Sequence, residues 1–257
     1  MLEKKKISIY YFSGTGNTYI IGKEICRNFN ARDYEAELIA MTDIEPGEVK
    51  TGGIIGLAFP VAVQSTFPLV WDFIKKMPKA GGTKVFMFDT MQIFSGGIVG
   101  PLKKYLSARG YNCIGAMEFK MPSNMRTKEK VDDSLNLTIK KSISEAEKYV
   151  ESLINETSSW SRLPLVSDLM RQISAKDSLW ERMSEDLSVD RRACTKCGLC
   201  QKICPVDSIK IHDDDYPKNC KNCISCMRCA NYCPHNAIKL KGKKLQQNKP
   251  IRASDFL

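Results

Sequence analysis

A chain of 257 residues has room for one large domain or two smaller ones, and 43% hydrophobic with 26% charged residues excludes disorder by composition. Nine of its 11 cysteines fall between residues 194 and 233, which excludes a secreted disulfide scaffold and points to metal ligation in a reducing compartment, the cytoplasm. The formal net charge of +10 raises nucleic acid or an acidic partner, but no motif accompanies it and Lys and Arg form no stripe interleaved with aromatics, so no nucleic-acid binding is expected.

The first stretch, Lys4-Lys5-Lys6 followed by residues 7–12, is basic then apolar. It is too short for a signal peptide and is broken at once by Ser13-Gly14-Thr15-Gly16-Asn17, so it reads as a buried first strand. Residues 17–29 carry Ile20, Ile21, Ile25 and Phe29 at helical spacing. Strands are predicted at 36–41 and at 54–59, the latter stopped by Pro60. Phe67, Val70, Trp71, Ile74 and Met77 recur at three and four, which predicts a helix over 67–77. A strand over 84–89, a helix over 98–108, a strand over 112–119 and a long helix over about 128–154 complete the series. Such alternation predicts an α/β doubly wound parallel sheet with helices on both faces. The longest apolar run, 54–63, contains Gly56 and Pro60 and is far short of a membrane span, so no membrane insertion is expected.

From residue 155 the pattern changes. Thr157-Ser158-Ser159 breaks the helix, and Leu169, Ile173, Leu179, Trp180, Met183 and Leu187 then give an amphipathic stripe. It reads as a connector packed by its apolar side, or alternatively as a lid or docking helix. The expected organisation is a sheet domain over 1–155, a helical connector over 156–190, a cysteine-rich domain over 191–241 and a basic surface tail over 242–257. Asp213-Asp214-Asp215 reads as a solvated hairpin tip.

The cysteine-rich part is a duplication. Cys194-x2-Cys197-x2-Cys200-x3-Cys204-Pro205 is repeated 29 positions later as Cys223-x2-Cys226-x2-Cys229-x3-Cys233-Pro234. Pro205-Val206-Asp207-Ser208-Ile209-Lys210 is echoed by Pro234-His235-Asn236-Ala237-Ile238-Lys239. Thiolates suit iron–sulfur cores, and this run resembles that of bacterial ferredoxins, where the fourth cysteine of each run ligates the other cluster. Cys194, Cys197, Cys200 and Cys233 are then expected to hold one [4Fe-4S] cluster, and Cys223, Cys226, Cys229 and Cys204 the other. Zinc expects paired C-x2-C elements separated by long loops, which triplets with a trailing Cys-Pro do not match. Cys220 stands two residues before Cys223 but is out of register with the first run, and is expected to be a spare thiol. Cys26 and Cys113 are expected to be small buried hydrophobes. Two loaded clusters would make the chain more negative by about four charges, which tempers its basic character.

Ser13-Gly14-Thr15-Gly16-Asn17-Thr18 sits between the first strand and the first helix. Hydroxyls and backbone N–H groups at a helix N-terminus can ring a phosphate, and glycine lets the backbone approach closely. No Lys follows the second glycine, so this is not a P-loop, and Tyr19 stands where the third glycine of a dinucleotide fingerprint belongs. The turn resembles the phosphate loop of flavodoxins, which bind FMN. That resemblance implies a flavodoxin-like five-stranded sheet followed by a small α+β two-cluster ferredoxin domain, and the whole chain resembles flavodoxin–ferredoxin fusions of anaerobic bacteria and archaea. It also implies two loops flanking the flavin ring, one holding Phe59, Pro60, Val61 and Ala62, the other Thr90, Met91, Gln92, Phe94, Gly96 and Gly97. The first of these lacks Trp or Tyr, which leaves Phe59 or Phe94 to stack on the ring or simply to pack in the core.

The implied function is electron transfer between two [4Fe-4S] clusters and FMN, with redox partner proteins such as acidic ferredoxins. Two alternatives stay open. One is a ferredoxin whose first domain is a flavin-free docking module; the other is an iron–sulfur redox sensor. His212 and His235 are the only histidines, and the sequence offers no acid–base pair for catalysis and no sign of NAD(P)H binding.

Overall fold

The computed structural model describes residues 5–93, 97–126, 133–161, 180, 183, 186–211, 215–219, 222–247 and 252–256. Two compact units emerge. The first takes Met1–Ser13, Asn17–Pro122 and Asp133–Ala175; the second takes Gly14–Gly16, Ser123–Asp132 and Lys176–Leu257.

In the first unit, β1 (Lys5–Tyr11), β2 (Tyr34–Ala40), β3 (Ile54–Pro60), β4 (Lys84–Met91) and β5 (Asn112–Lys120) form one sheet in the order β2-β1-β3-β4-β5. Every neighbouring pair is parallel. This is the flavodoxin-like order, with its switch point where the strand order reverses at β1 and β3. The central strands are buried on both faces, which is why they read as unbroken apolar runs rather than alternating ones.

On one face Ile7, Ile9, Phe86, Phe88 and Phe119 meet Ile21, Ile25 and Phe29 of α1 (Asn17–Asn30), and Ala146, Tyr149, Val150 and Leu153 of α4 (Asp133–Ile154). Full burial of each large side chain contributes about 1.5–3 kcal/mol. On the opposite face Tyr10 packs on Phe73 and Phe12 on Phe67, with ring centroids 5.8 and 5.4 Å apart. That layer belongs to α2 (Pro68–Lys76) and α3 (Val99–Ala108), whose Trp71 and Tyr105 meet edge to face. No α-helix joins β2 to β3; the connection carries only a short 3-10 turn, Pro46–Glu48. Beyond α4 the chain runs along β5, where the Ala116 N–H donates to Ser159 O at 3.1 Å and the indole of buried Trp160 donates to Val99 O at 2.8 Å. The stripe residues Leu169, Ile173 and Leu179 lie outside the described residues.

In the second unit β6 (Leu187–Val189) pairs with β9 (Ile238–Leu240), which pairs with β10 (Lys243–Lys244), all antiparallel. The hairpin β7 (Ile209–Lys210) and β8 (Lys218–Asn219) stands apart from that sheet. Two short helices, α5 (Leu199–Lys202) and α6 (Arg228–Tyr232), each follow a cysteine triplet's opening turns. The small core holds Cys200, Ile209, Met227, Cys229, Ala230, Ile238, Leu240 and Leu245. The basic tail is tied into this unit: Lys243 and Lys244 are exposed, but Leu245 is buried and Gln247 donates to Ala230 O and Cys233 O at 2.9 and 2.7 Å.

Candidate redox site

The sequence duplication is carried into the backbone. Lys196 and Ser225 are left-handed, with φ of 58° and 53°. So are Gly198 and Met227, at 75° and 60°, and Asp207 and Asn236, at 50° and 47°. Each pair is separated by the repeat of 29 positions. Five of these six residues are not glycine, so side-chain-bearing residues repeatedly hold a costly conformation, as is common where a loop clamps a ligand. After each Cys-Pro the chain turns the same way: the Ser208 N–H donates to Cys204 Sγ and the Ala237 N–H to Cys233 Sγ, both at 3.3 Å. Donors of this kind stabilise a thiolate. Ile209 and Ile238 then enter the core, buried to the same degree.

The thiols fall into two crossed groups. One cavity is lined by Cys194, Cys197, Cys200 and Cys233 together. Cys200 also senses the other three electrostatically; burial is the larger cause, and its pKa is pushed up to about 11. In the second group, burial raises Cys226 to about 11, with Cys204 and Cys223 adding to the rise. Cys229 is held well above its ordinary value by burial first, then by Cys226, Cys223 and Cys204, and last by Cys200 of the first group. Each run's fourth cysteine is thus brought to the other run's triplet. The first group lines a cavity, and among the described residues no three His, Cys, Asp or Glu groups are placed for a single metal ion. Four thiols around a cavity suit a polynuclear iron–sulfur core, whose ligands are spread by the core itself. Cys220 and His212 lie outside the described residues.

The turn after β1 is closely packed. Ser13 and Thr15 are 2% and 4% exposed, and Thr18 is fully buried, its hydroxyl 2.8 Å from that of Thr90. Gly16 has a φ of 106°, which only glycine adopts readily. Within the second unit, Tyr232 Oη donates to Thr15 O at 2.9 Å, and a Cβ added to Gly14 would run into Cys226 O, so Gly14 answers a close backbone approach. The 14-residue α1 begins here with no acidic residue in its first turn, leaving the helix dipole unopposed. Asn17 Oδ1 is buried without a hydrogen-bond partner, while its Nδ2 donates to Pro122 O at 2.9 Å. Small residues, hydroxyls, backbone donors and an open helix dipole fit a phosphate monoester; the Asn17 amide oxygen, an acceptor, adds nothing to that fit.

The two further loops follow β3 and β4 at the carboxyl edge of the first unit's sheet. They are stitched together by Val61 N–H to Thr90 O at 2.9 Å and Gly97 N–H to Gln64 O at 2.5 Å. Pro60, Val61, Ala62 and Met91 are half-buried, Gln92 is exposed, and Phe94 and Gly96 lie outside the described residues. Phe59 is fully buried, and ordinary core packing accounts for it. Two features here escaped the sequence reading. Val63 and Gln64 both have positive φ, 50° and 61°, in a tight Ala62–Ser65 turn, a rare conformation for a β-branched residue. Ile93 projects into solvent, 78% exposed.

Residues 193–238 match the family model described as a 4Fe-4S dicluster domain. This chain therefore joins a flavodoxin-like sheet to a 4Fe-4S dicluster domain. Among solved structures, it is similar to the two-electron reduced flavodoxin of Megasphaera elsdenii, with 24% identity, 54% of this chain and 98% of that one covered, and a TM-score of 0.41. It is also similar to flavodoxin 2 of Bacillus cereus, with 18% identity, coverage of 59% and 99%, and a TM-score of 0.46. With the rubredoxin oxygen:oxidoreductase of Desulfovibrio gigas it shares 14% identity over 60% of its own length and a TM-score of 0.44, and spans only 37% of that chain. The curated proteins contain no match to it. No helix among the described residues is long and apolar enough to cross a membrane.

The two cysteines outside the dicluster domain differ. Cys26 sits in the α1 core, and burial pushes its pKa to about 12. Cys113 is half-buried, 3.6 Å from Ser107 Oγ.

Asp89, on β4 between Phe59 and Glu118, is 0% exposed and neither carboxylate oxygen has a hydrogen-bond partner. Burial, aided by the negative charge of Glu118, holds its pKa well above the ordinary value. A raised folded pKa means that the stability contributed by neutral Asp89 is complete below the unfolded carboxyl pKa. It is lost as pH rises from there toward the folded value. Asp89→Asn, neutral at every pH, is therefore expected to melt at least a few degrees above the natural chain at pH 7 and close to it at pH 3.5, by calorimetry at both pH values.

Proposed function

We propose that this chain is an iron–sulfur flavoprotein that passes electrons between two [4Fe-4S] clusters and FMN. The observation that carries the reading is the crossed grouping of the eight thiols. Cys194, Cys197, Cys200 and Cys233 would hold one cluster, and Cys223, Cys226, Cys229 and Cys204 the other. A cubane supplies one electron at a time, and a flavin accepts one or two.

The chain's own residues supply position and environment. Amide donors from Ser208 and Ala237 lie against the two exchanged thiols, Cys204 and Cys233, and would hydrogen-bond the sulfurs of bound clusters. Buried Cys226 and Cys229 would keep that side of one cluster from water. Ser13, Gly14, Thr15, Gly16, Asn17 and Thr18 would take the FMN phosphate with neutral donors and the α1 dipole. Val61, Ala62, Thr90, Met91, Gln92 and Gly97 would border the flavin ring, and Ile93 adds an apolar surface there. Support for the phosphate site comes from the absence of an acid in the first turn of α1 and from the left-handed Gly16 that shapes the turn. The domain borders near 155 and 191, and a cytoplasmic location, belong to the same reading. Its test is the iron, flavin and electron content of the chain prepared without oxygen.

A further inference from the structure

Of the ten described cysteines, Cys197 alone is exposed. Lys196 and Gly198 on either side of it are left-handed, with φ of 58° and 75°, as Ser225 and Met227 are around buried Cys226, so the exposure is this run's own. A collar of cationic side chains begins at Lys196, next to Cys197 in the chain. Tyr216 lies between two of them, with Lys196 Nζ 4.8 Å and the Arg191 guanidinium carbon 5.3 Å from its ring centroid. Arg191, Arg192 and Lys196 are all exposed. Asp190 pairs with Lys239 at 2.8 Å; Asp215 pairs with Lys218 at 2.6 Å and also feels the charge of Arg191. A cleft of about 440 Å³ opens beside the stack, lined by Arg191, Tyr216 and Lys218 with apolar Leu187 and Ile209, and it reaches Cys229 of the second thiol group.

We infer that this collar is the docking surface for an acidic one-electron carrier protein, and that Cys197 marks the port through which electrons cross. The inference rests on the reading of Cys194, Cys197, Cys200 and Cys233 as ligands of one cluster. An electron leaving the reduced carrier enters that cluster singly; no bond is made or broken and no proton need move. Positive charge elsewhere on the chain steers a negative partner in general, but among the described residues only Cys197 joins an exposed ligand thiol to neighbouring cations. The aromatic ring holds the two cations in place.

The test is calorimetric binding of a small acidic [4Fe-4S] ferredoxin to the iron-loaded chain, with basic cytochrome c as the comparison, at about 10 mM and about 1 M salt. The acidic probe is expected to bind at low salt and to be released at high salt, and cytochrome c not to bind. R191E/K196E is expected to weaken the acidic probe about tenfold or more at low salt and to flatten the salt dependence, with iron content unchanged. Should the double variant lose iron, R191E alone, whose side chain stands outside the thiol cavity, decides the matter through a loss of at least about threefold. An iron-loaded chain whose affinity ignores these charge reversals, or that binds cytochrome c as well as the acidic probe, overturns the inference. A chain that takes up no iron at all overturns the cluster reading instead.

Discussion

Cys204→Ala is expected to empty the cluster site of the second cysteine run while leaving that of its own run filled. The chain should fall from about eight irons to about four, with the surviving cluster held by Cys194, Cys197, Cys200 and Cys233. The expectation follows from proximity: Cys204 acts on Cys223, Cys226 and Cys229, whereas Cys194, Cys197, Cys200 and Cys233 line one cavity, and the single cross-group effect, of Cys200 on Cys229, is the smallest on that thiol. Iron analysis with electron paramagnetic resonance of the reduced protein checks it. Loss of the first run's cluster, or full retention of both clusters even when Cys220 is also removed, would contradict the crossed pairing. Because Cys220 stands so near in sequence, Cys204→Ala/Cys220→Ala is the companion variant. If Cys220 can substitute, only the double change removes the cluster.

Removing two of the three buried hydroxyls of the turn after β1, and leaving Thr18 on Thr90, is the second large effect. Ser13→Ala/Thr15→Val is expected to lower FMN affinity by about 10²–10⁴-fold, since a hydrogen bond to a charged group contributes about 1.5–3 kcal/mol and two are lost. Iron content should not change, because neither side chain is a thiol ligand. Flavin fluorescence quenching on titration of the apoflavin form measures the affinity. An unchanged affinity would remove the phosphate from this turn.

Much of the first unit was legible because parallel strands buried on both faces announce themselves as apolar runs. Ile7, Ile9 and Tyr11 point one way and Tyr10 and Phe12 the other, yet all are buried. Helices were legible where their stripes repeat at three and four, as in Val70, Trp71 and Ile74. The strand β4 runs two residues past the predicted 84–89, since Thr90 is held by the Thr18 hydroxyl and by the Val61 N–H. Those partners are distant in sequence, and no local pattern records them.

The duplication was legible as a countable register of 29 positions, and the crossing of the fourth cysteines was an expectation of the resemblance to bacterial ferredoxins. The left-handed backbone at Lys196, Asp207, Ser225, Met227 and Asn236 was not legible, since none of these is glycine. Its trace in sequence is only the 29-residue repeat itself. Gly14 looked like a phosphate-loop glycine; its neighbour Cys226 O gives it a second reason to lack a side chain. Asp89 was hidden inside an apolar strand, where a single carboxyl between Phe88 and Thr90 gives no periodic signal. Likewise the Tyr216 stack joins residues from separate loops, so the cationic collar is visible only after folding.

The account stands most directly on one measurement: anaerobic reductive titration of the chain with dithionite, after iron and acid-released flavin have been quantified. It predicts about eight irons and one FMN per chain, and uptake of about four electrons, one by each cluster and two by the flavin. Eight irons with no FMN, even after incubation with it, and uptake of only about two electrons would contradict the flavoprotein reading and leave a flavin-free ferredoxin.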